Sequence, residues 1–233
     1  MRLYLNIKLY FILMEAIIED NKIINVSYNF AKTIFNNISN EIYKKLMFTS
    51  DSIYSSSKIK GSLKLIDVIL KTTNNNLNIT ITDGTANIGT DSIHMAEIFK
   101  NVNAIEYLNV NYEALKNNIN VLNSKNNMKA YNGDTNNLIQ DLEQDLIYID
   151  APWGGRNYKE FEKLKLYLGD IEILDFYLNN RQKAKYFIFK VPYNYDFDYF
   201  RGFIIDKVTI YPYKKDARIK YFLIVIENQE SNC

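Results

Sequence analysis

The sequence predicts an α/β fold built on a mostly parallel, seven-stranded sheet, and three observations predict it. Strand-like and helix-like segments alternate about five times between residues 77 and 191. One of these strands, Asp145-Leu146-Ile147-Tyr148-Ile149, is an unbroken apolar run, as a strand covered on both faces requires. The chain then closes on two long strands, over 203–211 and 220–227, whose short basic link leaves no room for a crossover helix. They must form a hairpin, which puts one antiparallel strand into the sheet.

Ahead of this alternation Phe30, Ile34, Phe35, Ile38, Ile42 and Leu46 recur at intervals of three and four, predicting a helix over 29–45. Residues 50–57 are polar and turn-like. Helical spacing returns over 60–71 through Leu63, Leu65, Ile66, Ile69 and Leu70. Residues 77–82 alternate with a period of two and end in Asp83-Gly84, a strand running into a loop. Residues 91–100 read as helix, 102–107 as a short strand and 112–122 as helix. A strand over 128–131 and a turn of helix over 138–142 follow. After the apolar strand come a helix over 171–178 and a strand over 185–191. The domain organisation expected is a helical N-terminal extension over 1–58, lying on the substrate side, and one domain over 59–233.

A chain of 233 residues fits one such domain, and 47% hydrophobic residues suffice for a real core. Asn, Ile, Lys and Tyr are overused and Gly, Ala and Pro underused, the mark of an AT-rich coding sequence. With 28 basic and 27 acidic residues the net charge is +1, so no global field draws the chain onto nucleic acid. Any such contact needs a local patch. Lysines gather at Lys58, Lys60 and Lys64, and again at Lys214, Lys215, Arg218 and Lys220; each cluster reads first as a solvated face. A single cysteine, Cys233, excludes an intrachain disulfide framework, and with one histidine no metal site of the usual zinc ligands is expected. The apolar residues 1–18 are interrupted by Arg2, Lys8 and Glu15, and no run approaches the ~20 apolar residues of a membrane helix. The expected location is intracellular, in cytoplasm or nucleus, without a membrane partner.

Ligands of an open α/β sheet bind beyond the carboxyl ends of its strands. Four acids stand there: Asp83, Glu106, Asp134 and Asp150. Like charges gathered on one edge repel unless they bind something. The first loop, Asp83-Gly84-Thr85-Ala86-Asn87-Ile88-Gly89-Thr90-Asp91-Ser92, is rich in small residues and opens a helix whose N–H groups can meet a ligand. Glu106 follows Asp83 by 23 residues, near the spacing of about 20 at which an acid takes ribose hydroxyls in nucleoside sites. Asp83, Gly84, Thr85, Ala86, Gly89, Glu106 and Asp150 are therefore candidates for holding a nucleoside cofactor. Asp134 is a candidate for its adenine amine, and reads equally well as a turn residue of Asn132-Gly133-Asp134.

The sharpest signal is Asp150-Ala151-Pro152-Trp153-Gly154-Gly155, which holds the one tryptophan. An acid or carbonyl here accepts a hydrogen bond from an amino group. The proline stiffens the loop, the indole offers a flat face, and the glycines let a planar base approach. That chemistry suits methylation of an exocyclic amine on a nucleobase; the alternative is a core tryptophan beside a strand end.

At this loop the sequence resembles class I methyltransferases of Rossmann-like fold that modify amino groups through an Asp/Asn-Pro-Pro-aromatic motif. More narrowly it is similar to the trimethylguanosine synthase family of RNA cap guanine-N2 methyltransferases, whose motif reads Asp-Pro-Pro-Trp-Gly-Gly. Similar proteins are encoded by large DNA viruses, which suits the AT-rich composition and would place this one in the cytoplasm of an infected cell. The resemblance covers residues 51–198. Asn87, Thr90 and Asp91 replace the family's Gly, Gly and Asn in the first loop, and Ala151 replaces the first proline. The resemblance implies S-adenosylmethionine as cofactor and the 5′ cap of an RNA as partner. It implies catalytic roles for Asp150, Pro152 and Trp153, the last stacking on the guanine. Tyr54 and Ser56 are expected to close over the base beside Gly154, with Arg156 and Lys190, and also Lys58 and Lys60, toward the cap phosphates. Three alternatives stand beside it. One is ribose 2′-O-methylation through Lys190, Glu227 and either Lys60 or Lys64. The others are adenine-N6 methylation and a non-catalytic RNA-binding subunit. Oligomeric state is left open.

Overall fold

The computed structural model describes residues 21–201 and 206–228; the apolar stretch 1–18 and Cys233 lie outside them. The chain enters through β1 (Ile23–Ile24), which pairs with β2 (Phe48–Thr49). Between them lie α1 (Tyr28–Ile34) and α2 (Asn40–Tyr43), started by Ser27 and Ser39, whose hydroxyls accept the N–H of Phe30 and Ile42. The apolar stripe predicts one helix here. Two form instead, because Asn37 turns with φ 51° and Ser39 caps anew.

Next come α3 (Ser52–Ser55) and α4 (Ile59–Thr72). The alternation follows as β3 (Thr80–Asp83), α5 (Thr90–Ala96), β4 (Asn101–Glu106), α6 (Asn109–Leu122), β5 (Met128–Asn132), α7 (Thr135–Leu138) and β6 (Leu146–Ile149). A small hairpin of β7 (Tyr167–Leu168) and β8 (Ile171–Glu172) leads to α8 (Ile173–Asn180), β9 (Tyr186–Pro192) and α9 (Phe197–Arg201). The chain then runs through β10 (Lys207–Lys215) and β11 (Arg218–Glu227). The β7–β8 hairpin and α9 carry no periodic signal long enough to read. The turn of helix expected over 138–142 comes earlier, because Asp134 caps it.

The seven-stranded sheet has the order β10-β11-β9-β6-β3-β4-β5, and β11 alone runs against its neighbours. The chain starts at the centre with β3, moves outward to β5 and returns to β6 on the other side of β3. That reversal opens a crevice beyond the carboxyl ends of β3 and β6, where such sheets bind ligands. Side chains of β6 alternate between two apolar cores: Leu146 and Tyr148 join the one under α4 and α5, Ile147 and Ile149 the one under α8. Burial on both faces is why this strand reads as an unbroken apolar run.

The segment before residue 59 shares the first of these cores. Ala31, Ile34, Phe35 and Phe48 pack with Leu65 and Ile69. Asn118 of α6 adds a buried polar link, donating to the carbonyls of Met47 and Ile88 and accepting the Met47 N–H. Among the described residues no helix is long and apolar enough to cross a membrane.

The β10–β11 turn holds Asp216 at φ 53° and Ala217 at φ 60°, the two positive angles of a two-residue turn whose twist matches the strands. An alanine there costs about 1–2 kcal/mol, against about 0.5–1 for glycine's extra chain freedom. Ala217→Gly is therefore expected to raise stability by roughly 0.5–1 kcal/mol in urea unfolding. A loss of stability would contradict the turn.

Candidate functional site

Asp83 and Glu106 are the last residues of β3 and β4, and Asp150 follows β6, so the sheet delivers three carboxylates to one edge. Asp83 is almost wholly buried. Its Oδ2 accepts from Ser92 Oγ at 2.5 Å and its Oδ1 from the Thr85 N–H at 3.2 Å. Burial pushes its carboxyl up to about 7, with Asp91 and Asp150 adding to the shift. Glu106 accepts the N–H groups of Asn87 and Leu108, each at 2.8 Å, and burial likewise raises it to about 7.

The loop between β3 and α5 is sewn to both neighbouring strands. Thr85 Oγ1 accepts the Asp150 N–H at 2.7 Å, and the Ala86 N–H donates to the Ile105 carbonyl at 2.9 Å. At Gly84 a Cβ would stand 2.5 Å from Ile149 Cδ1 and 2.7 Å from Thr135 Cγ2, so backbone packs where a side chain cannot. Gly89 ends the loop and precedes α5. Asn87, standing where the related family has glycine, takes the left-handed φ of 50° that asparagine tolerates. Its amide then donates to Asp51 Oδ2 at 2.8 Å, tying the loop to the N-terminal segment. Asp134 caps α7, its Oδ1 accepting the N–H and amide of Asn136, so these contacts match the turn reading.

A second layer of charge lies beside the first. Asp150 Oδ2 accepts from Lys190 Nζ at 2.6 Å, and Lys190 also donates to Ser57 Oγ at 2.9 Å. Asp91 accepts from Ser57 Oγ at 2.7 Å, Ser62 Oγ at 2.6 Å and the Tyr148 hydroxyl at 3.1 Å. Burial raises the Asp150 carboxyl, and Lys190 opposes the rise. Burial alone would lower Lys190, but Asp150 and Asp91 together hold it above the ordinary lysine value. One ammonium thus faces three carboxyl groups, an arrangement whose ionised form a cationic ligand would favour.

Lys190, expected toward the cap phosphates, is buried and paired with Asp150 at 2.6 Å. Lys190 and Glu227 of the ribose-methylating set stand apart. Antiparallel pairing sets Glu227 opposite Tyr186, at the far end of β9 from Lys190, where it meets Lys207 at 2.8 Å. Lys64 is paired with Asp67 at 3.0 Å.

Trp153 is half-buried and packs against apolar residues of both cores. Its ring meets Tyr158 edge-on, centroids 5.1 Å apart, and Lys190 Nζ lies 5.9 Å from its centroid. The buried indole N–H has no hydrogen-bond partner. It lies close enough to Asp150 to pull that carboxyl down, outside hydrogen-bond geometry. Gly154 and Gly155, at φ 85° and 77°, take the left-handed turns that carry the chain away from the ring. Pro152 is exposed, and Tyr54, on α3, is 63% exposed. The buried hydroxyls of Ser56 and Tyr221 lack partners, as Trp153 does; such orphaned polar atoms call for a ligand or water. Arg156 falls in the 3-10 turn Gly155–Glu160, its side chain outside the described residues.

Sequence reasoning missed Ser57, Ser62, Asp91 and Tyr148 as members of this cluster. A tyrosine inside an otherwise aliphatic buried strand was the one signal available, since its hydroxyl must find a partner. A cavity of about 450 Å³ lined by Leu77, Ile98, Lys100 and Lys125 lies at the opposite, amino end of the strands, away from all these groups.

A family model described as RNA cap guanine-N2 methyltransferase matches residues 79–232. The uncharacterised protein L320 of Acanthamoeba polyphaga mimivirus is 35% identical over 218 residues, 87% of this chain and 80% of that one. Among solved structures, an rRNA methylase from Streptococcus thermophilus superposes with a TM-score of 0.51 at 14% identity, covering 74% of this chain and 99% of that one. The human methyltransferase 10 domain containing protein gives 0.57 at 11% identity, over 75% and 84%. These two likenesses show a shared fold.

The carboxylates make stability depend on pH. Asp83 and Glu106 bind protons near pH 7 when folded and near pH 4 when unfolded. The stability this confers on the unliganded chain is complete below about pH 4 and is lost as pH rises through about 7. The urea midpoint is expected to fall from about pH 5.5 to about pH 8, and less steeply in Asp83→Asn and Glu106→Gln. A midpoint that rises over that range would contradict the burial of these acids.

Proposed function

The chain belongs to the RNA cap guanine-N2 methyltransferase family, and we propose that it methylates the exocyclic N2 amine of 7-methylguanosine at an RNA 5′ cap. Family and fold together make it an S-adenosylmethionine-dependent methyltransferase. The observation that carries the finer reading is Trp153, a half-buried ring with an unpaired N–H beside the part-buried Asp150 carboxylate at the sheet's switch point.

The residues present fit the cofactor. Each oxygen of Glu106 takes one backbone N–H and keeps acceptor capacity for ribose hydroxyls. Asp83, Asp91 and Asp150 outnumber Lys190, which suits a ligand bearing a sulfonium and an ammonium. Gly84, Thr85, Ala86 and Gly89 frame its approach, and Asp134 stands beside the expected adenine. When bound, the cofactor supplies a methyl on a sulfonium whose thioether leaves neutral, so the amine needs alignment more than acid–base help.

Alignment is the work of this chain's own side chains. Lys190 commits Asp150 Oδ2 to an ion pair, which leaves Oδ1 to accept the target N–H. That hydrogen bond orients the amine nitrogen. Trp153 is the plate on which the base lies, and a positively charged 7-methylguanine stacks on indole more strongly than a neutral base. Pro152 and the turn at Gly154 hold the plate's edge in place. Tyr54 and Ser56, from the N-terminal segment, cover the base, the Ser56 hydroxyl finding there the partner it otherwise lacks.

The test is methyl transfer from labelled cofactor to RNAs carrying an N7-methylated cap, an unmethylated cap or none, with base analysis of the product. Label on guanine N2 of the N7-methylated cap is expected. Trp153→Ala should lower that turnover by about 10- to 100-fold, the scale of a lost base–aromatic stack, while leaving cofactor affinity intact. Label on ribose, or full activity in Trp153→Ala, would overturn the reading.

A further inference from the structure

We infer that the tip of the β10–β11 hairpin is a landing surface for the RNA backbone that follows the cap, an inference resting on the reading above. The last β9–β11 pair is Pro192 with Tyr221, and beyond it β10 and β11 continue alone through Lys214↔Ile219 and Lys215↔Arg218. At about 3.3 Å per residue, the three residues from Lys220 back to Arg218 project about 10 Å past the sheet. They project at the end that holds Asp150, since Pro192 closes β9 two residues after Lys190.

The route from reaction centre to tip is continuous. Lys190 Nζ lies 2.6 Å from Asp150 and 5.2 Å from the centroid of the Tyr221 ring. Tyr221 stacks on Tyr213, centroids 4.6 Å apart and planes 10° from parallel, which stiffens the hairpin's base. From Tyr213 the next two residues are Lys214 and Lys215. On the other side a Cβ at Gly61 would be 3.2 Å from the Tyr221 hydroxyl, so the first turn of α4, with exposed Lys60, lies against the same base.

The tip concentrates charge that nothing in the fold uses. Lys214, Lys215, Arg218 and Lys220 are exposed and form no ion pair among the described residues. Asp216 is the sole acid among residues 214–220. The whole chain carries only +1, so the remainder is net negative and the tip is where a polyanion would be drawn. Lysines along an edge strand can serve simply to prevent strand pairing. That explanation fits the unpaired edges of both strands at the tip, but it does not call for four cations around a single acid. The tight turn at Asp216 and Ala217 holds the two strand ends together, so the four cations gather at one tip, Lys215, Arg218 and Lys220 on one face of it. Such a cluster reads phosphates without reading sequence. An enzyme that methylates the cap needs that property, since the cap is constant and the RNA after it is not.

The experiment compares the full chain with a variant carrying Lys214→Gln, Lys215→Gln, Arg218→Gln and Lys220→Gln. Binding of capped and uncapped single-stranded RNA of about twenty nucleotides is measured as a function of salt. Methyl transfer is measured on the same capped RNA and on free 7-methylguanosine triphosphate. Thermal melting confirms that the exposed substitutions leave the fold intact. The variant is expected to bind both RNAs about tenfold or more weakly, with the salt slope reduced by about 2–3, at about 0.7 per phosphate contact on a single strand. KM for capped RNA should rise in parallel, while turnover of the free cap compound stays within about twofold. Unchanged RNA affinity and salt slope would overturn the inference, as would an equal loss on the free cap compound. If neither cap substrate is methylated by the wild type but RNA binding still depends on the tip, the surface stands and the proposed reaction falls.

Discussion

Inside the carboxyl end of the sheet a single buried ammonium, that of Lys190, stands among Asp83, Asp91 and Asp150, and touches the last at 2.6 Å. Burial and neighbouring carboxylates push the Asp83 and Asp150 carboxyls upward, toward their protonated forms. Lys190 opposes that rise at Asp150 and so favours its ionised form, which accepts hydrogen bonds. This distinction matters to chemistry on an amine, since an N–H can be held only by an acceptor. The pair adds little net stability, as removing two charges from water costs about as much as their attraction returns.

The rest of the site is arranged around that pair. Ser57 bridges Lys190 and Asp91, and Ser62 and Tyr148 complete the shell of Asp91. Through these hydroxyls the segment before α4 is fastened to the end of the sheet. The Asn87–Asp51 bond makes a second fastening at the cofactor loop. Two replacements that look like losses against the family's pattern therefore acquire roles. Asn87 keeps the turn glycine would make and adds a tether; Asp91 supplies the counter-charge that a buried lysine needs. The N-terminal segment is thus bonded to the residues proposed to hold cofactor and base, and we propose it forms the substrate side of the site.

The parallel core was legible because its signals are local. Strand ends followed by acids, an apolar run at 145–149 and a short link before the last strand each reflect a constraint that acts within a few residues. The motif Asp150 to Gly155 was legible for the same reason. What escaped depends on contacts distant in sequence. Ser57 and Lys190 are 133 residues apart, and no spacing rule joins them, so the sequence pointed Lys190 toward phosphates or a ribose hydroxyl instead. The break between α1 and α2 was missed because an apolar stripe continues through Asn37, whose turn is set by backbone angle rather than by hydrophobicity. The hairpin at β7 and β8 has two residues in each strand, too few for any periodicity to show.

The central claim is that Asp150 and Lys190 act as one unit, and a double-mutant cycle addresses it most directly. Unfolding free energies would be measured for the wild type, Asp150→Asn, Lys190→Met and the double variant. If the pair is a unit, each single change strands a buried partner. The double change then costs much less than the sum, with a coupling of about 2 kcal/mol or more. Additivity within about 0.5 kcal/mol would contradict the claim, and would leave Asp150 without the partner on which its role as acceptor depends.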